Sequence, residues 1–465
     1  MSAFPFTATE CVSAFSGGEV SAHEITTAAL ERIALSNPEL NAFIDVTGDR
    51  ALFEARILDD ARKQGQSMLP FAAVPYAVKN LFDVKGITTL AGAKLHAKNP
   101  PASRDAKLVE QLNTAGGMLL GTLNMDAYAY GFTTENTHYG ATRNPRDPSR
   151  SAGGSSGGTG AAVAAGLVPI GLGSDTNGSI RVPASLCGVF GLKPTFGRLS
   201  RTGSLPFVAS LDHLGPLATT TEDLALAYDV LQGVDTADSS CAQRAPCPTL
   251  AELARGTEGL RIARLTGYFD ENAGAEARWA SQTAAKALHA IDEVELPGAA
   301  QARAAAYLIT AAESGALYLD DLREHPDDFE PLSRERLIAG SLIPAAWYQR
   351  AQRYRRWYLN RVMSLFERYD LLIAPATPIT APLLGQQFFS LGGRELPTRP
   401  NMGLLTQPVS CIGLPVAVAP LWPGFGLPIG VQLIAAPWRE DLCLRAASTL
   451  EKLGLAGSRI SVAAQ

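Results

Sequence analysis

Apolar residues recur every three or four positions from Thr7 to about Ala34, through ECVSAFSGGEVSAHEITTAALERIAL, with a break at Gly17-Gly18. That period predicts two helices. Ser21 followed by Glu24 fits a capping box, which starts the second one. The pair reads as a helical hairpin laid on a larger body. Next comes a short apolar run, FAAVPYAV, that ends on Lys79 and predicts a buried strand. Leu108–Thr114 reads as helix, and GGMLLGTLN as a second buried strand. TGAAVAAG predicts a helix of small residues and LVPIGL a short strand, with Gly166 as the break between them.

Helix and strand alternate in this way to about Leu231, the texture of a mixed α/β core. From Gly233 to about Arg368 the chain turns Ala-, Arg- and Glu-rich at helical spacing. Three apolar runs then return, in DLLIAPATP, PVAVAPLW and GLPIGVQLIAAP, bounded by Pro and Gly. Both ends of the chain are therefore expected to build one sheet. The expected layout is one domain over 1–465: an N-terminal helical segment (1–60), a core (61–232), a helical insertion (233–368) and a return to the core (369–465). No internal repeat is visible.

At 465 residues the chain exceeds the usual single-core size, so one large α/β domain or two domains are expected. A net charge of -5 and the lack of a basic cluster argue against nucleic acid as a direct partner. The start, MSAFPFTATECVSAF, has no basic segment followed by an apolar run, so no secretory leader is expected. No stretch is apolar enough for a membrane span. Six cysteines, none in a C-x-x-C pair, fit reduced thiols in the cytoplasm.

The stretch AGGSSGGTGAAVAAG (152–166) raises the question of chemistry, because glycines surround two adjacent hydroxyls. It formally matches the nucleophile elbow G-x-S-x-G, but ATRNPRDPSRSA before it is polar and Pro-broken where an elbow needs a strand. A phosphate loop would need G-K-[ST] after the glycines, which is missing. No S-x-x-K occurs. A Ser-His-Asp triad through His213, His289 or His325 has no supporting context, and a Gly/Ser linker is the bland alternative.

Lys79 is more informative. It is one of only nine lysines against 31 arginines, and it follows a strongly apolar run. A lysine there can snorkel to solvent; if buried, its pKa falls and the neutral amine becomes a base. Downstream, GLGSDTNGSIRVPAS (171–185) carries a short strand into a turn of small polar residues with Ser179 at its end. Successive N–H groups in such a turn can converge as an oxyanion-binding nest. A plain Gly/Asn/Asp turn would explain the same residues.

Several long segments, in order, resemble the amidase signature family: VPYAVKNLFDVKGITTLAG, the serine-rich stretch through GLKPTFGRLS, SLDHLGPLA and GLPIGVQLIAAPWRED. The resemblance spans most of the chain and is strongest over about 70–220. It implies the amidase signature fold, an α/β fold with a mixed central sheet covered by helices on both faces, and a Ser-cisSer-Lys triad. The strand-end lysine falls on Lys79, the bridging serine on Ser155 and the nucleophile on Ser179. Oxyanion amides fall on Thr176, Asn177, Gly178 and Ser179, with Ser156, Asp175 and Arg181 in support. The implied reaction is amide hydrolysis through a seryl acyl-enzyme, with no metal or organic cofactor. Most relatives carry glycine at the position of Asn177; asparagine tolerates a left-handed turn, and its side chain would reach the substrate pocket.

Within the family, NMDAYAYGFTTENTHYGATRNP and SDTNGSIRVPASLCG look most like the hydrolases of the cyanuric acid pathway that act on 1-carboxybiuret. Tyr128, Ala129, Tyr130 and Asn177 then fall on the substrate side. An arginine is the expected partner of a substrate carboxylate, with no single one indicated. The alternatives are a glutamine-hydrolysing subunit of an aminoacyl-tRNA amidotransferase, a general aliphatic amidase, and a non-catalytic scaffold. Resemblance to the carboxybiuret hydrolases or the tRNA amidotransferases implies a small, mainly helical companion. The apolar residues Val12, Phe15, Val20, Ile25, Ala28, Leu30 and Ile33 of the hairpin, with the helical insertion, are a candidate surface for that companion or for a second copy of the chain. The alternative is that all seven pack on their own core.

Overall fold

The computed structural model describes residues 7–424 and 426–460; residues 1–6, where the leader reading begins, lie outside the described residues. One sheet of eleven strands runs through the molecule. Numbered along the chain, they are β1 (Phe43–Val46), β2 (Val74–Lys79), β3 (Gly117–Leu123), β4 (Ile170–Asp175), β5 (Phe190–Lys193) and β6 (His213–Ala218). The later ones are β7 (Ile262–Leu265), β8 (Asp292–Val294), β9 (Leu371–Pro375), β10 (Val416–Leu421) and β11 (Ile429–Ala435). Their order across the sheet is β1-β3-β2-β4-β6-β5-β10-β11-β9-β7-β8. β2 lies parallel to both β3 and β4, whereas β4, β6, β5, β10 and β11 alternate in direction.

The three apolar runs near the C-terminus form β9, β10 and β11, so the two halves of the chain do meet in one sheet. Nearly every side chain of these strands is buried, because helices cover both faces. Segment 233–368 departs from the expectation of an all-helical insertion. Its strands β7 and β8 pair in parallel with each other, and β7 with β9, so they extend the sheet edge. Their runs, IARL and DEV, are too short for a periodic signal, and partners distant in sequence make them strands.

The N-terminal helices are Ala8–Ser16 and Ala22–Leu40, each opened by a complete capping box, Thr7 with Glu10 and Ser21 with Glu24. The second runs past the expected end to Leu40 and carries Pro38 in its last turn. Phe15, Ile25 and Ile33 are fully buried, and Val12, Val20, Ala28 and Leu30 are half-buried. Val12, Val20 and Leu30 pack against the core that Phe15, Ile25 and Ile33 enter. None of the described helices is long and apolar enough to cross a membrane.

Candidate active site

Lys79 ends β2 with no exposed surface. Its Nζ donates to Ser155 Oγ at 2.6 Å and to Ser174 Oγ at 2.9 Å. Burial removes hydration from the ammonium and lowers its pKa to about 7, although Asp126, Asp212 and Asp175 pull the other way. A lysine in that state supplies a neutral amine near pH 7.

The serine-rich loop delivers Ser155 to this amine, and the Gly154–Ser155 peptide bond is cis. The loop's glycines answer to close packing. A Cβ on Gly158 would sit 2.5 Å from both the N and the O of Asn124, so no side chain fits there. Ser156 ties the loop to its surroundings: its N–H donates to the Ser179 carbonyl at 3.2 Å, and its Oγ to the Ser174 carbonyl at 3.2 Å. The two serine sites, 24 residues apart in sequence, are therefore adjacent in space.

The turn after β4 is built around Asp175. Its carboxylate forms a two-pronged pair with Arg181, Nε to Oδ2 and Nη2 to Oδ1 both at 2.9 Å, and neither side chain is exposed. It also accepts from the N–H groups of Gly178 (2.8 Å) and Ile180 (3.3 Å). Burial pushes this carboxyl up, but the charge and the fork of Arg181 outweigh it and hold the pKa at about 2. Arg181 in turn reaches Gln432 Oε1 at 2.7 Å and Ser410 Oγ, so strand β11 braces the turn. Arg181→Met is expected to strand a buried carboxylate and cost about 3–5 kcal/mol of stability. Urea unfolding measures it, and a loss below about 1 kcal/mol would show the pair to be dispensable.

Gly178 has φ +138°, and a Cβ there would collide with Thr406 Oγ1. Asn177 does not have positive φ, so the residue of the turn that needs glycine's freedom is Gly178. Asn177 is fixed from two sides: its Nδ2 donates to Thr310 Oγ1 at 2.8 Å, and its carbonyl accepts from Thr406 Oγ1 at 2.6 Å. Thr176 Oγ1 donates to the buried Asp212 at 2.6 Å.

A narrow pocket lies beside this turn. Ser179, Thr176, Asn177, Ala129, Tyr130, Phe207 and Arg336 are among its walls. The Ser179 hydroxyl has no hydrogen-bond partner among the described residues, and the N–H groups of Thr176, Asn177 and Ser179 are likewise unpaired. A buried lysine–serine pair, a free serine hydroxyl and three open amides thus meet at one pocket. That combination can generate a nucleophile and receive an oxyanion. Among the described residues no group of three or more His, Cys, Asp or Glu side chains could hold a metal ion.

The amidase family model matches residues 24–444, most of the chain. The chain belongs to the amidase family. This amidase is 57% identical to AtzE, a 1-carboxybiuret hydrolase subunit of Pseudomonas sp. (strain ADP), over 96% of this chain and 98% of that protein. It is 36% identical to a glutamyl-tRNA(Gln) amidotransferase subunit of Chloroflexus aurantiacus, over 96% of each. A solved structure described as "an unexpected vestigial protein complex reveals the evolutionary origins of an s-triazine catabolic enzyme" superposes with a TM-score of 0.97. It is 56% identical and spans 97% of this chain and 100% of that one.

Two expectations for the amidase site are corrected. Tyr128 does not line the pocket; it stacks on Phe329 (centroids 5.4 Å apart) and meets Tyr318 and His96 edge-on. Positive φ at both Tyr128 and Ala129 turns the chain so that Ala129 and Tyr130 face the pocket instead. The Gly178 N–H is occupied by Asp175 and is not an open oxyanion donor. No hydrogen bond joins the Ser155 and Ser179 hydroxyls among the described residues, and Ser179 faces the pocket. Sequence reasoning missed Ser174, Thr310 and Thr406. Ser174 had a signal, since it precedes Asp175 in the strand that the turn terminates.

Proposed function

We propose that this amidase, working as one domain, hydrolyses the amide bond of a small urea-derived acid, 1-carboxybiuret, with release of ammonia. The observation that carries the reading is the buried Lys79–Ser155 hydrogen bond beside a pocket lined by Ser179. Neutral Lys79 accepts a proton from Ser155 as Ser155 takes one from Ser179, and Ser179 Oγ attacks the carbonyl carbon. The amides of Thr176, Asn177 and Ser179 receive the developing oxyanion, a contribution of about 3 kcal/mol for a well-placed donor. Collapse expels the amine, which takes its proton back through Ser155 from Lys79. Water then attacks the acyl-enzyme by the same route in reverse. Ser156, Asp175 and Arg181 keep the two serine sites in register.

The 57% identity to a 1-carboxybiuret hydrolase subunit supports the choice of substrate. A compact pocket with Ala129, Tyr130 and Asn177 in its wall suits a small polar molecule. All six cysteines are free, which fits the cytoplasm. Because that relative belongs to a multi-chain enzyme, a small helical companion, or a second copy of the chain, is part of the proposal. The face offered to it is on the helices of 299–363, where Leu342 is 75% exposed, Trp347 58% and Trp357 46%. Light scattering on the chain alone and co-expressed with its companion tests this part.

Ammonia release from 1-carboxybiuret, biuret, allophanate, glutamine and simple aliphatic amides tests the activity. The expected result is a kcat/KM for 1-carboxybiuret about 100-fold above every other member. Preference for glutamine would replace this reading with that of an amidotransferase component. Inertness towards the whole panel would sink the hydrolase.

A further inference from the structure

Asp126 lies against the serine-rich loop that Lys79 faces. Its N–H donates to the Ser155 carbonyl at 3.2 Å, and its Oδ2 accepts from the Thr134 N–H at 3.0 Å. A Cβ on Gly154 would collide with Oδ2, so the loop passes this carboxylate only because residue 154 is glycine. The Asp126 side chain is wholly buried, and its Oδ1 accepts no hydrogen bond. Lys79, one hydrogen bond from the same loop, makes no ion pair among the described residues. A buried carboxylate this close favours the ammonium form of a buried lysine. Burial lowers the Lys79 pKa, and Asp126 opposes that effect more than Asp212 or Asp175 does.

The three carboxylates are held differently. Asp175 is forked by Arg181, and Asp212 accepts from Thr176 Oγ1 and from the N–H groups of Phe207 and Val208. The cation beside Asp126 is Arg399, from the short helix Thr398–Asn401. Its Nη2 lies 3.3 Å from Asp126 Oδ1 and 3.9 Å from Glu330 Oε2, and donates to the Tyr130 carbonyl at 3.4 Å. Arg336 Nη1 donates to the same carbonyl at 3.2 Å. Arg399 Nε and Nη1 have no hydrogen-bond partner. Charge, rather than a fork of hydrogen bonds, therefore joins Arg399 to Asp126.

We propose that Arg399 is a positioning residue for amide hydrolysis: by pairing Asp126 it cancels the carboxylate that lies against the serine-rich loop, and so leaves the Lys79 amine free to take the Ser155 proton. The proposal rests on the amide-hydrolase reading, in which neutral Lys79 is the base. Arg399 touches neither serine. It acts through Asp126, and its removal should change when Lys79 loses its proton more than how fast the neutral form reacts.

The test reads Lys79 directly. The chain has nine lysines, so protein isotope-labelled at lysine Cε gives few NMR signals, and the one missing from Lys79→Met belongs to Lys79. Arg399→Gln is expected to raise the titration midpoint of that signal by about one pH unit, and Asp126→Asn to lower it by a similar amount. The double variant should return near the parent, and Arg399→Lys, which keeps the charge, should stay near it. With the parent midpoint at about 7, the rate of Arg399→Gln at pH 7 should fall about fivefold and recover by about pH 10. An unmoved midpoint in Arg399→Gln, whatever the loss of rate, would mean that Arg399 only supports the Tyr130 wall, and would overturn the proposal. If that variant does not fold, an unmoved midpoint in Asp126→Asn overturns it equally. The titration needs no turnover, so it judges the pair even in a protein that hydrolyses none of the amides.

Discussion

Replacing Ser179 with alanine is expected to lower turnover about 10⁵-fold or more, with the protein still folded. The reason lies in which hydroxyls around the pocket are committed. Thr176 Oγ1 donates to Asp212, and Thr310 Oγ1 accepts from Asn177. Ser179 Oγ is the one aliphatic hydroxyl among the described pocket-lining residues that is not engaged. Without it no acyl-enzyme can form, and the open amides have no tetrahedral intermediate to stabilise. The fold should survive because Ser179 holds the serine-rich loop through its main-chain carbonyl, which alanine retains. Ammonia release and labelling by a fluorophosphonate measure the loss, and a thermal melt checks the fold. Activity within tenfold of the parent would remove Ser179 as nucleophile.

Lys79→Ala is expected to cost about 10⁴-fold, and Ser155→Ala a similar amount, with the double variant little worse than either. Groups that move one proton along one path fail together, so their losses do not add. The parent enzyme's pH profile carries the independent signature. Desolvation of Lys79 lowers its pKa to about 7, so the neutral base is scarce below that pH and fully populated about two units above it. The rate should therefore rise through pH 7 and level off by about pH 9. A rate that climbs steadily to pH 10 would point to a lysine of ordinary basicity. In the Lys79→Met protein, which keeps most of the side-chain length without the amine, the rise near pH 7 should vanish. If it persists, another group is responsible for it.

Much of the fold was legible because its signals are local. Buried strands read as short apolar runs closed by Pro or Gly, and β2, β3, β9, β10 and β11 all arose where such runs stood. The capping box at Ser21 started a helix as its chemistry requires. Strands β7 and β8 were not legible, because a three- or four-residue strand at a sheet edge owes its state to its neighbours. The hairpin's seven apolar residues could equally have served a partner or the core. Periodicity tells which face of a helix is apolar and says nothing of what covers it.

The site divides along the same line. Sequence by itself determined the chemistry on offer: an apolar strand ending in lysine, glycines that admit close backbone approach, and a small polar turn ending in serine. The family resemblance fell on Lys79, but the local pattern of a buried strand ending in lysine occurs twice. Phe190–Lys193 is also a buried strand that ends in lysine, and burial, with Arg181 close by, lowers Lys193 to about 7 as well. Lys193 Nζ meets the Pro194 carbonyl, whereas Lys79 Nζ meets Ser155 and Ser174. Only the packing of β2 beside β4, with the serine-rich loop brought against them, selects the first. Tertiary structure likewise turned Tyr128 away and Tyr130 in, gave the Gly178 amide to Asp175, and carried one of 31 arginines to the pocket from a helix more than 150 residues beyond Ser179. Residue type and local period fix which groups a chain can present. Distances between groups far apart in sequence are set by which faces bury one another, and that is decided by the whole core at once.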